Sequence, residues 1–182
     1  FWTVGGSLGK GITCQGVNVN SLQGDQAVVD IMQRMGAAIS QTENSVTVNG
    51  GATKATLIDA ANCPDIIPVL TVLAAVSEGT TKIINAGRLR IKECDRLAAT
   101  VEILNALGGN ARAEGNDIVI QGVKQLRGGV QLKDYNDHRM VMLAAVAAAK
   151  AELPVTVAGT EALNKSWPEF INVYKQLGGI AE

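Results

Sequence analysis

Three helix-like runs in this chain stop in the same way, at Met35-Gly36-Ala37, Leu107-Gly108-Gly109 and Leu177-Gly178-Gly179, with their middle glycines 72 and 70 residues apart. Glycine just past the last helical turn takes a left-handed conformation at no β-carbon cost, so each stop is a helix end with a mechanism. After the first two stops come paired short runs, 38–41 with 46–49 and 110–113 with 118–121. Their turns, Glu43-Asn44 and Gly115-Asn116, are polar, which predicts two β-hairpins. Upstream of the second and third stops lies a more apolar helix followed by a strand, 66–76 then 81–85, and 138–149 then 155–157. Those two helices begin at Asp65 and Asp137, again 72 apart. A fixed period of this length is the signature of a repeated supersecondary unit.

The unit reads helix, strand, helix, strand, strand, with repeats at about 1–60, 61–133 and 134–182. The helices after Asp65 and Asp137 are apolar nearly all round, and Ala74, Ala75, Ala145, Ala147 and Ala148 permit close approach. Such helices belong inside, which leaves the sheets outside. The ends of the pattern are ragged. Counting 72 back from Asp65 falls before residue 1, so Phe1-Trp2-Thr3-Val4 reads as the middle of a helix. The third repeat reaches Ile180-Ala181-Glu182 without a strand pair. The expectation is a fragment, or a domain that borrows strands, because unpaired sheet edges are poor stopping points.

A 47% hydrophobic chain of 182 residues can bury a sizeable core. Its net charge of −1 supplies no basic field for nucleic acid, so any anion site must be local. The longest apolar stretch, 141–149, is too short to span a bilayer. Cys14, Cys63 and Cys94 lack the spacing of a metal or disulfide framework, so no metal site is expected and a reducing cytoplasm fits.

Charge is concentrated in three islands. Residues 88–96 hold Arg88, Arg90, Lys92 and Arg96 together with Glu93 and Asp95. If Lys92 opens a helix running through Leu97, Val101 and Leu104, Lys92 and Arg96 share one face at i and i+4, with Glu93 one residue round. The second island, Asp134-Tyr135-Asn136-Asp137-His138-Arg139, puts Arg139 in a helical first turn, where the dipole already favours an anion. His138 reads there as a capping or structural residue. The third, Leu163-Asn164-Lys165-Ser166-Trp167-Pro168, places Lys165 in a loop 73 residues after Lys92. Equivalent positions of a pseudo-symmetric array fall at one end, so the islands are expected to form one site. Arg96, Arg139 and Lys165 suit a small phosphorylated carboxylic acid, with Asp65 and Glu93 left for proton transfer.

The stretches Leu89-Arg90-Ile91-Lys92-Glu93-Cys94-Asp95-Arg96-Leu97, Tyr135-Asn136-Asp137-His138-Arg139-Met140 and Lys165-Ser166-Trp167-Pro168-Glu169-Phe170 closely resemble the 5-enolpyruvylshikimate-3-phosphate synthase family. Gln23-Gly24-Asp25 and Pro64-Asp65 are similar too, and the match runs in order over essentially the whole chain. The resemblance implies an α/β fold of repeated βαβαββ units with buried helices and outer mixed sheets, one domain of an inside-out α/β barrel, with the third unit incomplete. It implies the C-terminal part of a two-domain enolpyruvyl transferase in the cytoplasm, with a missing N-terminal portion as its partner. The implied reaction moves the enolpyruvyl group of phosphoenolpyruvate to the 5-hydroxyl of shikimate 3-phosphate, in aromatic amino acid biosynthesis, without a cofactor.

By the same resemblance, Arg96, Arg139 and Lys165 bind phosphoenolpyruvate, and Lys92 and Asp65 bind shikimate 3-phosphate. Asp65, Glu93 and Lys92 are the catalytic candidates: Asp65 takes the hydroxyl proton, and Glu93 shuttles a proton at the methylene carbon. The chain departs from the pattern at Arg88, where many members carry an asparagine that contacts the sugar-like substrate. A lysine near the family's N-terminus lies outside this sequence, so the chain alone is expected to be inactive. Two other readings compete: the related UDP-N-acetylglucosamine enolpyruvyl transferase, whose members lack the Asn136-Asp137-His138-Arg139 segment, and a non-catalytic domain that binds anions or assembles with a partner.

Overall fold

The period read from the sequence is present as a recurring order of elements in a computed structural model that describes residues 1–18 and 20–182. The first run is α1 (Trp2–Leu8), β1 (Ile12–Gln15), α2 (Ala27–Arg34), β2 (Ala38–Gln41) and β3 (Ser45–Asn49). The second is β4 (Leu57–Asp59), α3 (Ile67–Ala75), β5 (Thr80–Ile84), α4 (Arg96–Ala106), β6 (Asn110–Glu114) and β7 (Asp117–Gln121). The third is β8 (Val130–Leu132), α5 (His138–Ala148), β9 (Val155–Val157) and α6 (Phe170–Gln176). Gly36, Gly108 and Gly178 follow α2, α4 and α6 with φ of 86°, 88° and 93°, the left-handed stop that the three endings predict.

Sheet pairing repeats with the elements. The second run forms a mixed sheet in the order β4-β5-β7-β6, with β4 parallel to β5 and the other pairs antiparallel. The first run reproduces its last three strands as β1-β3-β2, and the third reproduces its parallel pair as β8-β9. Both expected hairpins are present, β2-β3 and β6-β7. Short β1 joins the first hairpin at β3, β4 reaches the second through β5, and β8 pairs with β9.

The helices lie inside. Every residue of α3 is buried, and the helix touches α1, α4 and α5. Pro68 sits in its first turn, where a missing N–H costs no intrahelical bond. The sheets cover this bundle from outside: β1 and β3 against α1, β7 against α3, β9 against α5. One apolar core therefore runs through all three runs. A satellite core of Val141, Met142, Ala162, Leu163 and Phe170 fixes α6. There Trp2 stacks on Phe170 at 4.7 Å between ring centroids, with Trp167 edge-on to both. No helix is long and apolar enough to cross a membrane among the described residues.

One expectation is corrected: no helix starts at Lys92. Residues 86–91 form a 3-10 turn, the backbone at Lys92 is extended, and α4 begins at Arg96. Asp95 is the reason, since its carboxylate accepts from the Ala98 N–H at 3.0 Å and caps α4 one turn later than expected. Lys92 and Arg96 are thus not neighbours on one helical face.

Leu70 has no exposed surface at the centre of α3. Leu70→Ala should lower unfolding free energy in urea by about 3 kcal/mol, the ordinary cost of a large-to-small change in a packed core. A loss below about 1 kcal/mol would contradict the central place given to α3.

Candidate functional site

Arg96 opens α4 pointing inward, and its side chain is only 1% exposed. A buried guanidinium needs partners for its N–H groups, and here three carboxylates supply them. Asp137, with a side chain 0% exposed, takes the Nε/Nη2 edge in a fork, at 2.7 Å from Nε to Oδ2 and 3.2 Å from Nη2 to Oδ1. Asp65 Oδ1 accepts from Nη1 at 2.9 Å, and Glu93 Oε2 accepts from Nη2 at 2.5 Å. The expected helix face is not required: the extended Lys92 backbone carries Lys92 Nζ to 3.1 Å from Asp65 Oδ1.

Asp137 and Asp65 do different jobs despite their equivalent places in the repeat. Asp137 caps α5, accepting from the Arg139 N–H at 2.8 Å. Asp65 lies in the 3-10 turn Pro64–Ile66 that precedes α3, and its side chain makes no cap there. It faces the cations instead. Arg139 Nη1 donates to the Asp65 carbonyl at 2.8 Å, and Nη2 stands 3.8 Å from Asp65 Oδ2. The starts of α3, α4 and α5 are thereby tied together through Asp65, Arg96 and Asp137.

Lys165, at the end of the 3-10 turn Thr160–Lys165, reaches this group indirectly. Its Nζ donates to both the carbonyl and the side-chain oxygen of Asn136, each at 2.6 Å. Asn136 and Tyr135 have φ of 52° and 53°, and the Asp137 N–H closes the turn onto the Asp134 carbonyl at 3.0 Å. Asparagine tolerates that conformation, tyrosine much less, so the turn stores strain beside the site. Of the nine-residue island, Arg88 and Arg90 serve structure. Arg88 donates to the Ala61 carbonyl, and Arg90 to Asp95, Asn116 and the Gly115 carbonyl.

Three contributors were not assigned a role from sequence. Asp137 was read as a helix-start acid; nothing local signals a partner 41 residues away at Arg96. Cys94 donates its thiol to Asp137 at 3.5 Å. Asp25 lies where the charges of Arg139, Asp65 and Lys92 reach it. A Cβ on Gly24 would stand 2.0 Å from the Asn62 carbonyl, so only glycine lets this turn press against the backbone leading to Asp65.

The electrostatics follow from this packing. Burial would raise Asp137, but hydrogen bonds from Arg96 and the Arg139 N–H and the charge of Arg96 hold it below the usual carboxylate range. For Asp65, burial is likewise outweighed, by the Lys92 hydrogen bond and the charges of Arg139, Lys92 and Arg96. Burial pushes the Asp25 carboxyl up. Burial and the Asp137 carboxylate push the Cys94 thiol up to about 12. His138 is lowered chiefly by burial, and its Nδ1 has no hydrogen-bond partner among the described residues. Three cations, Lys92, Arg96 and Arg139, thus meet at Asp65, Arg96 also holds Glu93 and Asp137, and Lys165 meets the oxygens of Asn136.

Fold and site together define an inside-out α/β domain with a cluster of paired charges at the shared starts of its helices. A family model described as EPSP synthase (3-phosphoshikimate 1-carboxyvinyltransferase) matches residues 1–174, and the chain belongs to that family. The 3-phosphoshikimate 1-carboxyvinyltransferase of Clostridium kluyveri is 45% identical over 179 residues, covering 98% of this chain and 42% of the relative. That of Clostridioides difficile is 43% identical over 179 residues, covering 98% and 41%. The solved EPSP synthase of Acinetobacter baumannii aligns with a TM-score of 0.85 over 96% of this chain and 44% of its own, at 23% identity, a likeness of fold. The chain therefore spans about two fifths of the length of the curated relatives it matches.

Asp137→Asn should cost about 3–5 kcal/mol in urea unfolding, because it leaves a buried guanidinium without its forked partner. Because Asp65 and Asp137 are held below the range of an unfolded carboxyl, their contribution is complete above about pH 5. It is lost as pH falls through their folded values. The acid slope of stability between about pH 5 and pH 3 should be shallower in Asp137→Asn; equal slopes would contradict the coupling.

Proposed function

We propose that this chain carries the phosphoenolpyruvate-handling part of an enzyme that transfers the enolpyruvyl group to the 5-hydroxyl of shikimate 3-phosphate and releases phosphate. The observation that carries the reading is the convergence of two sequence-distant family motifs on Asp65, Lys92 at 3.1 Å and Arg96 at 2.9 Å from one and Arg139 at 3.8 Å from the other. Arg96, Arg139 and Lys165 answer the phosphate and carboxylate of phosphoenolpyruvate. Lys92 and Asp65 meet shikimate 3-phosphate. The enzyme works in the cytoplasm, in aromatic amino acid biosynthesis, and needs the remaining part of its polypeptide to close over the substrates.

Chemistry on these residues requires only proton transfer and fixed charge. A proton delivered by Glu93 to the methylene carbon of phosphoenolpyruvate leaves positive charge on the adjacent carbon. The 5-hydroxyl attacks that carbon as Asp65 takes its proton, giving a tetrahedral adduct. Loss of phosphate and of a methyl proton then restores the enol ether. At rest Asp65 is a weak base, because three cations hold it ionised. Its basicity recovers when ligand oxygens draw Lys92 and Arg139 away.

Phosphate release from phosphoenolpyruvate and shikimate 3-phosphate should be absent for the chain alone and present when the rest of the polypeptide is co-expressed. Glu93→Gln should then lower turnover about 10²-fold or more. Turnover by the chain alone would overturn the claim that a second part is needed. Lys165→Met should weaken phosphoenolpyruvate about tenfold or more and shikimate 3-phosphate by much less. Equal weakening would remove Lys165 from the phosphoenolpyruvate pocket.

A further inference from the structure

We infer that Arg90 is a positioning residue: its guanidinium fastens the segment that carries Lys92 and Glu93 to the turn of the β6-β7 hairpin, and this fastening sets where those two side chains stand in the candidate site. The inference deepens the enolpyruvyl reading above and rests on it.

Residues 92–95 need a support from outside their own backbone. They lie between the 3-10 turn 86–91 and the first residue of α4, and no N–H from Lys92 to Asp95 donates to a backbone carbonyl among the described residues. Side chains hold the segment instead. Lys92 pairs with Asp65 at 3.1 Å, Glu93 with Arg96 at 2.5 Å, and the Cys94 thiol donates to Asp137 at 3.5 Å. Two of these partners, Asp65 and Arg96, are groups that meet substrate on the reading above, so neither serves as a fixed reference. Arg90 supplies one.

Its guanidinium reaches two elements at once. Nη1 donates to Asp95 Oδ2 at 2.8 Å, Nη2 to the Gly115 carbonyl at 2.7 Å and Nε to the Asn116 side-chain oxygen at 3.2 Å. The Arg90–Asp95 pair is half open to water and weak as a charge pair, but three bonds in one plane fix direction as a lysine could not. Asp95 answers twice, since its other oxygen caps α4 on the Ala98 N–H at 3.0 Å. The segment is therefore closed at both ends by one guanidinium–carboxylate contact. The turn that receives Arg90 is itself fixed. Glu114 pairs with Asp117 across it, β7 pairs with β5 in the four-stranded sheet, and the Asn116 carbonyl accepts from the Ala86 N–H at 2.9 Å. A Cβ on Gly87 would stand 3.1 Å from the Asn116 side chain, so the turn lies against the backbone just ahead of Arg90. Lys92 and Glu93 are thus registered to the outer sheet. A misplacement of about 1 Å costs roughly 10²-fold in rate, so a residue that touches no substrate controls turnover. Arg96 keeps its fork on Asp137, and Arg139 and Lys165 belong to other segments.

Arg90→Gln and Asn116→Ala test the role, in the polypeptide completed by co-expression of its remaining part and with phosphate release as the readout. Arg90→Gln should lower kcat about tenfold or more and raise KM for shikimate 3-phosphate about tenfold, with KM for phosphoenolpyruvate within about twofold of wild type. Asn116→Ala should move the same quantities in the same directions by about threefold. Loss of folded protein lowers apparent kcat and leaves both KM values alone, so it cannot produce this split. A second readout needs no turnover. In the 182-residue chain at pH 8, iodoacetamide should alkylate Cys94 about fivefold or more faster in Arg90→Gln, because a loosened segment takes the thiol away from Asp137, while Cys14 keeps its wild-type rate. Wild-type kinetics in both variants, or a fall in kcat with both KM values unchanged, overturns the positioning role and leaves the enolpyruvyl reading standing. Should Arg90→Gln not fold, Asn116→Ala, on an exposed turn, decides alone. A completed wild-type polypeptide that releases no phosphate overturns the enolpyruvyl reading and the positioning role with it.

Discussion

Everything near the candidate site depends on one buried guanidinium. Arg96 is a fully desolvated cation, and such a group persists only where every N–H finds an oxygen and the charge finds its counterpart. Asp137, Asp65 and Glu93 meet that demand from three different places in the chain, so the ion pairs double as ties between α4, α5 and the turn before α3. Apolar residues of similar volume would hold the same elements together at no loss of stability. What they would not do is gather Asp65, Glu93 and Asp137 around one cation. On the reading proposed above, burial of Arg96 preorganises it for a ligand carboxylate.

The fold was legible where periodicity is long and illegible where elements are short. Glycine stops, two hairpins and two all-apolar helices could be read because each extends over several turns or alternations. β1, β4 and β8 have only three or four residues, too few for a period-2 pattern to stand out, and their existence depends on pairing with β3, β5 and β9. The start of α4 was misread for a different reason. Spacing alone allowed Lys92 and Arg96 on one face, but Asp95 outcompetes that register by capping the helix at Ala98. The same end, two cations around Asp65, is reached by an extended segment.

The site was legible in its membership more than in its wiring. Repeat equivalence and the motifs brought forward Asp65, Lys92, Glu93, Arg96, Arg139 and Lys165, and the first five share a direct network. Burial of Arg96, the fork on Asp137 and the proximity of Asp25 are tertiary facts. They arise from the packing of α3 against α4 and α5, for which no local pattern exists.

Lys165 shows how a distant core governs a polar contact. It lies on a turn whose Ala162 and Leu163 are buried against α5 and Phe170. Phe170 in turn stacks on Trp2 and lies edge-on to Phe1 and Trp167, so α1, at the other end of the chain, helps hold α6 in place. The ammonium therefore hangs from an aromatic stack, while its acceptor, Asn136, sits in a left-handed turn stretched between β8 and α5. The lysine thus lies between a rigid support on one side and a strained turn on the other. On the proposed reading, an anion that draws the ammonium away removes a contact from the Tyr135–Asn136 turn, and the strain stored there can relax.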